Sequence, residues 1–421
     1  MEKRLKILVS AYACEPGHGS EPEVGWQWVM QLTRFFEVWV FTRENNRMAI
    51  EAELKSRNDP WLHMYYHDLP RWASFWKKGQ RGVHVYYILW QWGAWWRARS
   101  LHRRERFSFC HHITFSPMYH FPVFSLLPVP FIWGPVGGGE RIPQPFVKGF
   151  SWRYRLREGI RFLFGIATRL DPLFHLACHR SCLILAATAA SAEMIPRRYR
   201  NRVVLEAQVG MPAHLAAEKN RLTHLPLRFI TASRHVYWKG IDLLLHAFRR
   251  LVDELGPDQV HLTILGRGPR TRSLHELCRR LDLGNHVEFT AHLPTRDLVL
   301  KAFSQADVFV YGSLLECAGF VVLEALAMGT PVVCLNLPGP GEIVDDDCGI
   351  RVDAATPEEA IAGLARAMAE LFRDRQRLAR LTIGTRERVQ GSFLWNIKGD
   401  RLHHYLIPGC KHWGGAMEGG E

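Results

Sequence analysis

Short apolar runs alternate with helix-forming segments through the second half of the chain. The runs are rich in Val, Ile and Phe, and they include LRFITAS, VHLTILG, HVEFTAH, DVFVYG and PVVCL. Segments with helical periodicity, such as GIDLLLHAFRRLVDEL, separate them. Strands that alternate with helices at this spacing predict βαβ units and a parallel sheet.

The first half has the same alternation with longer loops, and LKILVSA, FEVWVFT, FSFCHHITF, PVPFIWGP and CLILAAT are its predicted strands. The periodicity lapses between residues 210 and 228. A chain of 421 residues is long for one core and favours two domains. We therefore expect an α/β fold with two Rossmann-like doubly wound domains that face a cleft. The expected division is 1–215, 216–390, a helix at 391–409 that returns to the first domain, and a disordered tail at 410–421.

No segment of the sequence is predicted to cross a membrane. The opening MEKRLKILVSAYAC resembles a signal peptide, but Lys6 interrupts its apolar run, and a buried strand explains it better. The longest uncharged stretch, His120 to Gly139, contains prolines and closing glycines that would break a helix exposed to lipid. Nine cysteines without regular spacing favour a reducing compartment over a disulfide framework, so we expect a cytoplasmic protein.

The formal charge of +13 is concentrated in two segments that also carry aromatic residues. These are Arg71 to Arg106 and Trp152 to Leu170. Basic residues mixed with Trp and Phe at helical spacing suit an interfacial helix on anionic lipid, whereas the alternative is a buried helix with a solvated basic face. A nucleic-acid partner is not predicted, because no recognised nucleic-acid module accompanies the charge.

Two carboxylates interrupt the apolar stretch LLECAGFVVLEALAMG, and burying them unpaired would be costly. If a helix begins near Ala318 or Gly319, Glu316 lies in the loop before it and Glu324 lies in its second turn. The first turn then offers free N–H groups and the positive end of a helix dipole to a phosphate. Glu324 could accept hydrogen bonds from a vicinal diol such as a ribose. The alternative is that both glutamates lie on the solvated face of an amphipathic helix.

Two cations follow the predicted strand LRFITAS in the loop SRHVYWKG. They are Arg234 and Lys239, and two cations at the carboxyl end of a strand can neutralise a diphosphate without a metal ion. A second loop, LGRGP, contains Gly266 and Gly268. That loop alone is weak evidence, because glycine-rich turns are common.

The spacing of Glu316 and Glu324 matches the E-x7-E motif of the family 4 retaining nucleotide-sugar glycosyltransferases, which have the GT-B fold. SRHVYWKGIDLLLHAF and ADVFVYGSLLECAGFVVLEALAMGTPVV are also similar to the donor-site pattern of that family. The first domain resembles one subgroup in SAYACEPGHGSEPEVGW, HHITF and FIWGPVGGGE.

The resemblance implies roles for these residues. Arg234 and Lys239 would hold the donor diphosphate and stabilise the departing nucleoside diphosphate. Glu324 would bind the ribose, and Glu316 would contact the transferred sugar and assist a front-face, retaining displacement. The implied catalytic residues are therefore Glu316, Arg234 and Lys239. The remaining donor-binding residues implied are Gly266, Gly268, Gly319, Phe320 and Val321.

In the first domain the resemblance implies two loops against the acceptor. Gly17, Gly19, Ser20 and Gly25 belong to the loop that would close over the phosphates, and Gly137 and Gly138 to the loop that would line the cleft opposite. Many family members carry a histidine in the loop after the strand that resembles PFIWGP, where this chain has Gly134 and Pro135. His112 or His120 could replace it.

A metal site is a weaker hypothesis. In HLACHRSC, His175 and His179 are four residues apart, as are Cys178 and Cys182, so all four could approach one helical face. No second ligand cluster accompanies them, and helix packing explains them better. We expect no cofactor and no metal requirement.

These patterns together predict a retaining glycosyltransferase. It would move a sugar from a nucleoside-diphosphate sugar to a lipid-linked saccharide or polysaccharide at the inner face of the cytoplasmic membrane, in peripheral contact with anionic lipid. One alternative is a soluble GT-B enzyme with a small acceptor, similar to a phosphorylase. Another is a catalytically silent nucleotide-sugar-binding protein. The motifs specify neither the base, the sugar, the acceptor and its linkage, nor the oligomeric state.

Overall fold

The computed structural model describes residues 4–57, 59–77, 79, 81–215, 225–291 and 293–411. The strands are β1 (Lys6–Ala11), β2 (Glu37–Thr42), β3 (Leu62–Tyr66), β4 (Phe109–Thr114), β5 (Phe131–Val136), β6 (Ser181–Ala186), β7 (Val203–Leu205), β8 (Leu227–Ala232), β9 (Val260–Leu265), β10 (Val287–Thr290), β11 (Val308–Tyr311), β12 (Val332–Leu335) and β13 (Gly349–Val352). The helices are α1 (Ser20–Thr33), α2 (Arg47–Arg57), α3 (Arg71–Ser74), α4 (Val83–Glu105), α5 (Gln144–Lys148), α6 (Trp152–Leu170), α7 (Pro172–Arg180), α8 (Ala189–Met194), α9 (Ile241–Leu255), α10 (Thr271–Arg280), α11 (Arg296–Gln305), α12 (Phe320–Ala327), α13 (Pro340–Ile343), α14 (Pro357–Arg373), α15 (Arg375–Ser392) and α16 (Trp395–Lys411).

The chain forms two compact units, neither of which is continuous in sequence. Unit 1 comprises Met1–Gly139, Phe164–Gln208 and Trp395–Glu421, and unit 2 comprises Glu140–Leu163 and Val209–Leu394. Helix α6 is therefore shared, with its first part in unit 2 and its end in unit 1. The sequence patterns did not separate residues 140–163 from the first domain. Helix α16 extends to Lys411, two residues into the predicted tail of 410–421, and the rest of that tail lies outside the described residues.

Unit 1 is built on a seven-stranded parallel sheet in the order β3-β2-β1-β4-β5-β6-β7. Chain order reverses between β1 and β4, which makes the carboxyl ends of these two strands a topological switch point. Helix α4 buries Tyr87 and Trp90 in the unit 1 core, while Trp92 and Trp96 on the same helix remain 47% and 70% exposed. One side of α4 thus completes the core and the other presents large apolar side chains.

Helix α16 packs on α1 and β6 of unit 1, as predicted for the last helix. The rings of Trp28 and Trp395 meet edge to face at 5.6 Å. Beside them the fully buried Lys398 ammonium donates to the Glu206 carboxylate and, at 2.7 Å, to the carbonyl of Ala207. Burial lowers the pKa of Lys398, and the attraction of Glu206 opposes that shift. A buried cation is tolerated here because a buried carboxylate and a carbonyl both face it.

Unit 2 is built on a six-stranded parallel sheet in the order β10-β9-β8-β11-β12-β13, with its switch point between β8 and β11. Helix α9 packs on α10 and α14, and α12 packs on α11 and α15. The predicted strands of both halves are present, and both units are doubly wound. The predicted α/β fold class is confirmed.

Within the described part of the chain, none of the helices combines the length and the apolar content needed to span a bilayer.

Replacing Glu206 with alanine should destabilise unit 1 strongly, because Lys398 would remain buried with an uncompensated charge. We expect a loss of about 3–5 kcal/mol, visible as a lower melting temperature. The matched control is Arg34→Ala. It removes the exposed ion pair between Arg34, at the end of α1, and Asp400 of α16, and it should cost about 1 kcal/mol or less. Equal effects of the two substitutions would contradict this account of α16.

Candidate functional site

Lys239 and Glu316 are in contact at the carboxyl ends of β8 and β11, the two strands at the switch point of unit 2. The Lys239 ammonium donates to the Glu316 carboxylate and, at 2.7 Å, to the Tyr311 hydroxyl. The Tyr311 hydroxyl in turn donates to Glu316 Oε2 at 2.8 Å. The three groups form a closed triangle, because β8 and β11 are neighbours and their last residues lie at the same edge of the sheet.

The charges of this triangle balance one another. Burial alone would raise the pKa of Glu316, but Lys239, the Tyr311 hydroxyl and the Gly319 backbone N–H lower it below its usual value. Burial, together with the negative charge of Glu316, raises the pKa of Tyr311 well above its usual value, so its hydroxyl stays protonated. Glu316 is therefore a carboxylate at neutral pH, and it faces a cation and the amino end of α12.

Three glycines allow the loops around this triangle to approach one another. Gly240 and Gly319 precede α9 and α12 with φ of 60° and 57°, a left-handed conformation that glycine adopts without strain. A Cβ atom at Gly240 would lie 1.9 Å from the carbonyl oxygen of Gly312. A larger residue at Gly240 would push the β8 and β11 loops apart, whereas a Cβ atom at Gly319 would lie 2.6 Å from Ile343 Cδ1 of α13.

Glu324 lies in the second turn of α12, as predicted, and α12 begins at Phe320. Its side chain is buried, with an exposed fraction of 8% for the residue, so the hypothesis of a solvated helix face is wrong for this residue. Glu324 Oε1 accepts from Arg296 Nε at 2.7 Å, and Arg296 also lies 5.1 Å above the Phe320 ring. Burial raises the pKa of Glu324, and Arg296 opposes the shift.

The glycine-rich loop after β9 is joined to the loop after β8. The N–H of Ser233 donates to Leu265 O at 3.1 Å, and the N–H of His235 donates to Arg267 O at 3.2 Å. At Gly268 a Cβ atom would lie 2.5 Å from the carbonyl oxygen of His235, and at Gly266 one would lie 2.1 Å from Ser233 O. Both glycines therefore serve close backbone contact. Arg234, in the loop after β8, is exposed.

In unit 1 the predicted glycine loop lies between β1 and α1. Glu23 fixes its shape, because its Oε2 accepts from the Gly17 N–H at 2.6 Å and its Oε1 accepts from Gln27 at 2.7 Å. Gly19 and Ser20 have φ of 69° and 53° at the start of α1. Gly25 lies inside α1, where a Cβ atom would be 2.1 Å from Ala13 O, so this glycine serves helix packing.

The second predicted loop of unit 1 follows β5. Gly137 N donates to Ser116 O at 3.4 Å, and Gly137 O accepts from Met118 N at 3.0 Å. Gly138 follows with φ of 110°. The loop therefore lies against the segment that follows β4, at the carboxyl edge of the unit 1 sheet.

The two candidate histidines differ in their surroundings. His112 is buried in β4, where its ring nitrogens meet Ser10 Oγ at 3.0 Å and Tyr87 Oη at 2.8 Å, and burial lowers its pKa to about 3. These bonds fit a structural histidine. His120 follows β4, and its Nε2 lies 2.8 Å from His84 Nδ1. Burial, with His84 nearby, lowers the pKa of His120 to about 4, so the His120 ring is neutral at neutral pH.

A family model described as glycosyl transferases group 1 matches residues 216–388. The chain is 31% identical over 185 residues to a GDP-mannose-dependent alpha-(1-6)-phosphatidylinositol monomannoside mannosyltransferase of Mycolicibacterium smegmatis, which is 42% of this chain and 47% of that protein. It is 32% identical over 165 residues to the lipopolysaccharide core biosynthesis glycosyltransferase LpsE of Rhizobium meliloti, covering 39% of this chain and 45% of LpsE. The matched region spans about half the length of these curated relatives.

The second unit belongs to the group 1 glycosyltransferases. This confirms the family that the E-x7-E spacing indicated. The fold of Anabaena HepE, solved in complex with UDP and glucose, superimposes on 96% of this chain and 100% of HepE with a TM-score of 0.60 at 16% identity. At this identity the similarity concerns the fold alone, and it confirms the predicted GT-B fold.

Sequence patterns missed two residues of this group 1 glycosyltransferase domain that contact predicted ones, and a third in the turn that carries Lys239. Tyr311 contacts Glu316 and Arg296 contacts Glu324, whereas Tyr237 lies in the turn of Lys239. Tyr311 is the last residue of a buried strand, and its alternation with Phe309 could have indicated a hydroxyl at the sheet edge. Nothing in the spacing of Arg296, 28 residues before Glu324, indicates their contact.

The metal hypothesis for HLACHRSC does not fit the geometry. His175 and Cys178 lie in α7, whereas Cys182 lies in β6, so the four side chains do not share a helical face. His175 Nε2 donates to Arg169 O at 2.9 Å, and the Cys182 thiol lies 3.3 Å from Phe131 O. Across the part of the chain that the structure describes, no three His, Cys, Asp or Glu side chains are grouped as metal ligands.

The Lys239–Glu316 contact predicts non-additive effects on stability. Lys239→Ala should lower the free energy of unfolding by about 1–3 kcal/mol, because the largely buried Glu316 would lose its cation. Adding Glu316→Gln should restore part of that loss by removing the unpaired charge. Urea unfolding of the two single variants and the double variant measures the coupling, and simply additive losses would contradict it.

Proposed function

We propose that the protein is a retaining glycosyltransferase that moves a sugar from a nucleoside-diphosphate sugar to a lipid-linked saccharide or polysaccharide. The observation that carries the proposal is the Lys239–Glu316 contact at the amino end of α12, with the Glu324 carboxylate one turn further along. This arrangement supplies a cation and a helix terminus for a diphosphate, and a buried carboxylate for a diol.

The donor diphosphate takes its charge partners from unit 2. Lys239 and Arg234 both follow β8, and the first backbone N–H groups of α12 follow Gly319. When a diphosphate binds there, it competes with Glu316 for the Lys239 ammonium. Glu316 is then free to turn toward the sugar, while Lys239 stabilises the negative charge that develops on the departing phosphate.

The reaction proceeds on one face of the sugar. The bond between the anomeric carbon and the diphosphate oxygen breaks, and a bond between the same carbon and the acceptor oxygen forms on the side that the diphosphate leaves. The acceptor hydroxyl and the leaving oxygen are then adjacent, so the hydroxyl proton passes to the diphosphate. The anomeric configuration is retained, and Glu316 stabilises the positive charge on the sugar during the exchange.

Names of relatives support a lipid-linked or polysaccharide acceptor, since one acts on a phosphatidylinositol mannoside and another in lipopolysaccharide core biosynthesis. The exposed apolar side chains of unit 1 support contact with a membrane, because Trp72, Phe75 and Trp96 are at least 70% exposed in a segment rich in arginine. The proposed location is therefore the inner face of the cytoplasmic membrane.

A second candidate function rests on Gly134 and Pro135, which lie within β5 rather than in the loop after it. They stand where many family members have a histidine, and the Gly134 carbonyl accepts from His111 Nε2 at 2.7 Å. This arrangement favours a protein that binds a nucleotide sugar without transferring it. Transfer of radiolabelled sugar to an extracted lipid fraction separates the two candidates, because the silent protein would bind the donor and yield no product.

Donor binding is tested by thermal shift with UDP-, GDP-, ADP- and dTDP-sugars. A donor at a hundred times its dissociation constant should stabilise the fold by about 2.7 kcal/mol. In Glu324→Gln the ribose would lose a charged acceptor worth about 1.5–3 kcal/mol, so the dissociation constant should rise roughly ten- to hundred-fold.

The matched control for this test is Glu276→Gln, which neutralises an exposed carboxylate of α10 in the same unit and should leave donor affinity unchanged. Unchanged affinity in Glu324→Gln as well would show that this carboxylate does not hold the ribose. The absence of a shift with every donor would count against the whole proposal.

Transfer should not require a divalent metal ion. Lys239 and Arg234 supply two positive charges to the diphosphate, which is the role that a metal ion plays in other sites. Dialysis against EDTA should leave the rate of transfer unchanged. A loss of activity that Mg²⁺ or Mn²⁺ restores would show that the two side chains are not sufficient.

A further inference from the structure

The part of α6 that belongs to unit 2 places apolar side chains on its outer face. Trp152, Leu156, Ile160 and Leu163 are 65%, 57%, 52% and 64% exposed. Their spacing of four, four and three residues places them in one stripe along a helix of about 3.6 residues per turn, about 16 Å long. A helix that packs on a core in water has the opposite arrangement, with its apolar stripe buried.

The inner face of the same helix carries polar and aromatic groups that hold the loop after β8. The Glu158 carboxylate is buried, with 8% of the residue exposed, and accepts from the Tyr237 hydroxyl at 2.5 Å. The ring of Tyr154 stacks on that of Tyr237 with centroids 4.1 Å apart. Arg157 and Arg161 lie 5.5 and 5.9 Å from the Trp238 ring.

The loop held in this way is the one that positions Lys239. Tyr237, Trp238 and Lys239 form one 3₁₀ turn, and the carbonyl of Trp238 accepts from the Leu314 N–H at 2.7 Å. The Lys239 ammonium leaves that turn toward Glu316. A single residue, Trp238, therefore lies between Tyr237, which contacts α6, and the proposed donor-binding cation Lys239.

The chemistry of the outer face favours an anionic bilayer as its occupant. Arg153 and Arg155 flank the apolar stripe and are exposed, whereas Glu158, the one acidic residue in the sequence of α6, faces inward. Arginines beside a stripe that begins with tryptophan match an interface where acyl chains lie below anionic headgroups. A protein surface would have to supply a matching acidic rim.

We propose that α6 couples the membrane to the donor site, so that seating its outer face in an anionic bilayer stabilises the Tyr237–Lys239 turn through Glu158 and Tyr154. This inference rests on the proposed function for the meaning of the turn, but the coupling itself involves only these contacts. Glu158 is a positioning residue, since it reaches Lys239 through the backbone of the turn.

The physical basis is a population shift. Away from a membrane the exposed outer face of α6 contributes no buried apolar area that would oppose local opening of the helix and of the turn that it holds. Burying four large side chains in the acyl boundary favours the formed helix by their apolar area. Because the turn is bonded to the inner face of that helix, whatever stabilises the helix also stabilises the turn.

The test is hydrogen–deuterium exchange of the full chain, followed at the peptide that covers residues 234–243. Wild type is mixed with vesicles of phosphatidylglycerol and phosphatidylcholine, or of phosphatidylcholine alone. We expect binding to the anionic vesicles, with exchange of this peptide slowed about tenfold, and neither effect with the neutral vesicles. Exchange that is unchanged on bound anionic vesicles, or a failure to bind them, would overturn the proposal.

Variants separate membrane binding by the outer face of α6 from the coupling of that face to the turn. Tyr237→Phe keeps the ring stack and loses the bond to Glu158, so it should bind the vesicles but show little slowing of exchange. A response equal to that of wild type would show that this bond does not couple the two faces. If Tyr237→Phe does not fold, Tyr154→Leu removes the ring stack instead and carries the same expectation.

The double substitution Leu156→Glu with Leu163→Glu places two charges in the apolar stripe. It should abolish both vesicle binding and the slowing of hydrogen exchange in the turn. The matched control is Ile383→Glu, because Ile383 is 65% exposed on α15, away from the stripe. Concentration-dependent dimerisation that the double substitution abolishes would show that a second copy of the chain covers this face. None of these readouts requires a bound nucleotide, so the coupling can fail while donor binding holds, and the reverse.

Discussion

The contact between Lys239 and Glu316 depends on the register of the neighbouring strands β8 and β11. The arrangement of the loops at the carboxyl edge of the unit 2 sheet depends on that contact. β8 and β11 are adjacent in space although two strands and three helices separate them in the chain. Parallel pairing brings their carboxyl ends to one edge, where the loops carry charges of opposite sign. Each charge would be costly to bury alone, so the pair fixes both loops at once.

Sequence patterns predicted the elements that periodicity and spacing define. The alternation of apolar runs with amphipathic segments indicated both sheets, and the helix start expected near Ala318 or Gly319 lies one or two residues before Phe320, where α12 begins. They missed β3, β7 and β13. In β3 only Leu62 is buried, in β7 no residue is, and β13 begins with a glycine and contains Arg351, so none shows the continuous apolar run of a central parallel strand.

Contacts between distant residues were the part of the site that could not be predicted. Arg296 meets Glu324 because α11 and α12 pack side by side, and Tyr237 meets Glu158 across 79 residues. Such contacts depend on how helices lie on a sheet, which leaves no local pattern. The same limit explains α6, whose composition indicated an interfacial helix but not which of its faces would be free. The Glu158 carboxylate of α6 points inward because Tyr237 and Arg161 both donate hydrogen bonds to it.

The pair formed by Lys398 and Glu206 has a consequence for how the chain is made. Unit 1 obtains its last helix from residues that follow the whole of unit 2, so a ribosome releases the partner of Glu206 only after nearly two hundred further residues have emerged. Until then the Glu206 carboxylate lacks its pairing with Lys398, and the indole of Trp28 lacks its contact with Trp395. The second unit can complete its core first, and the first unit closes last, although its synthesis begins earlier.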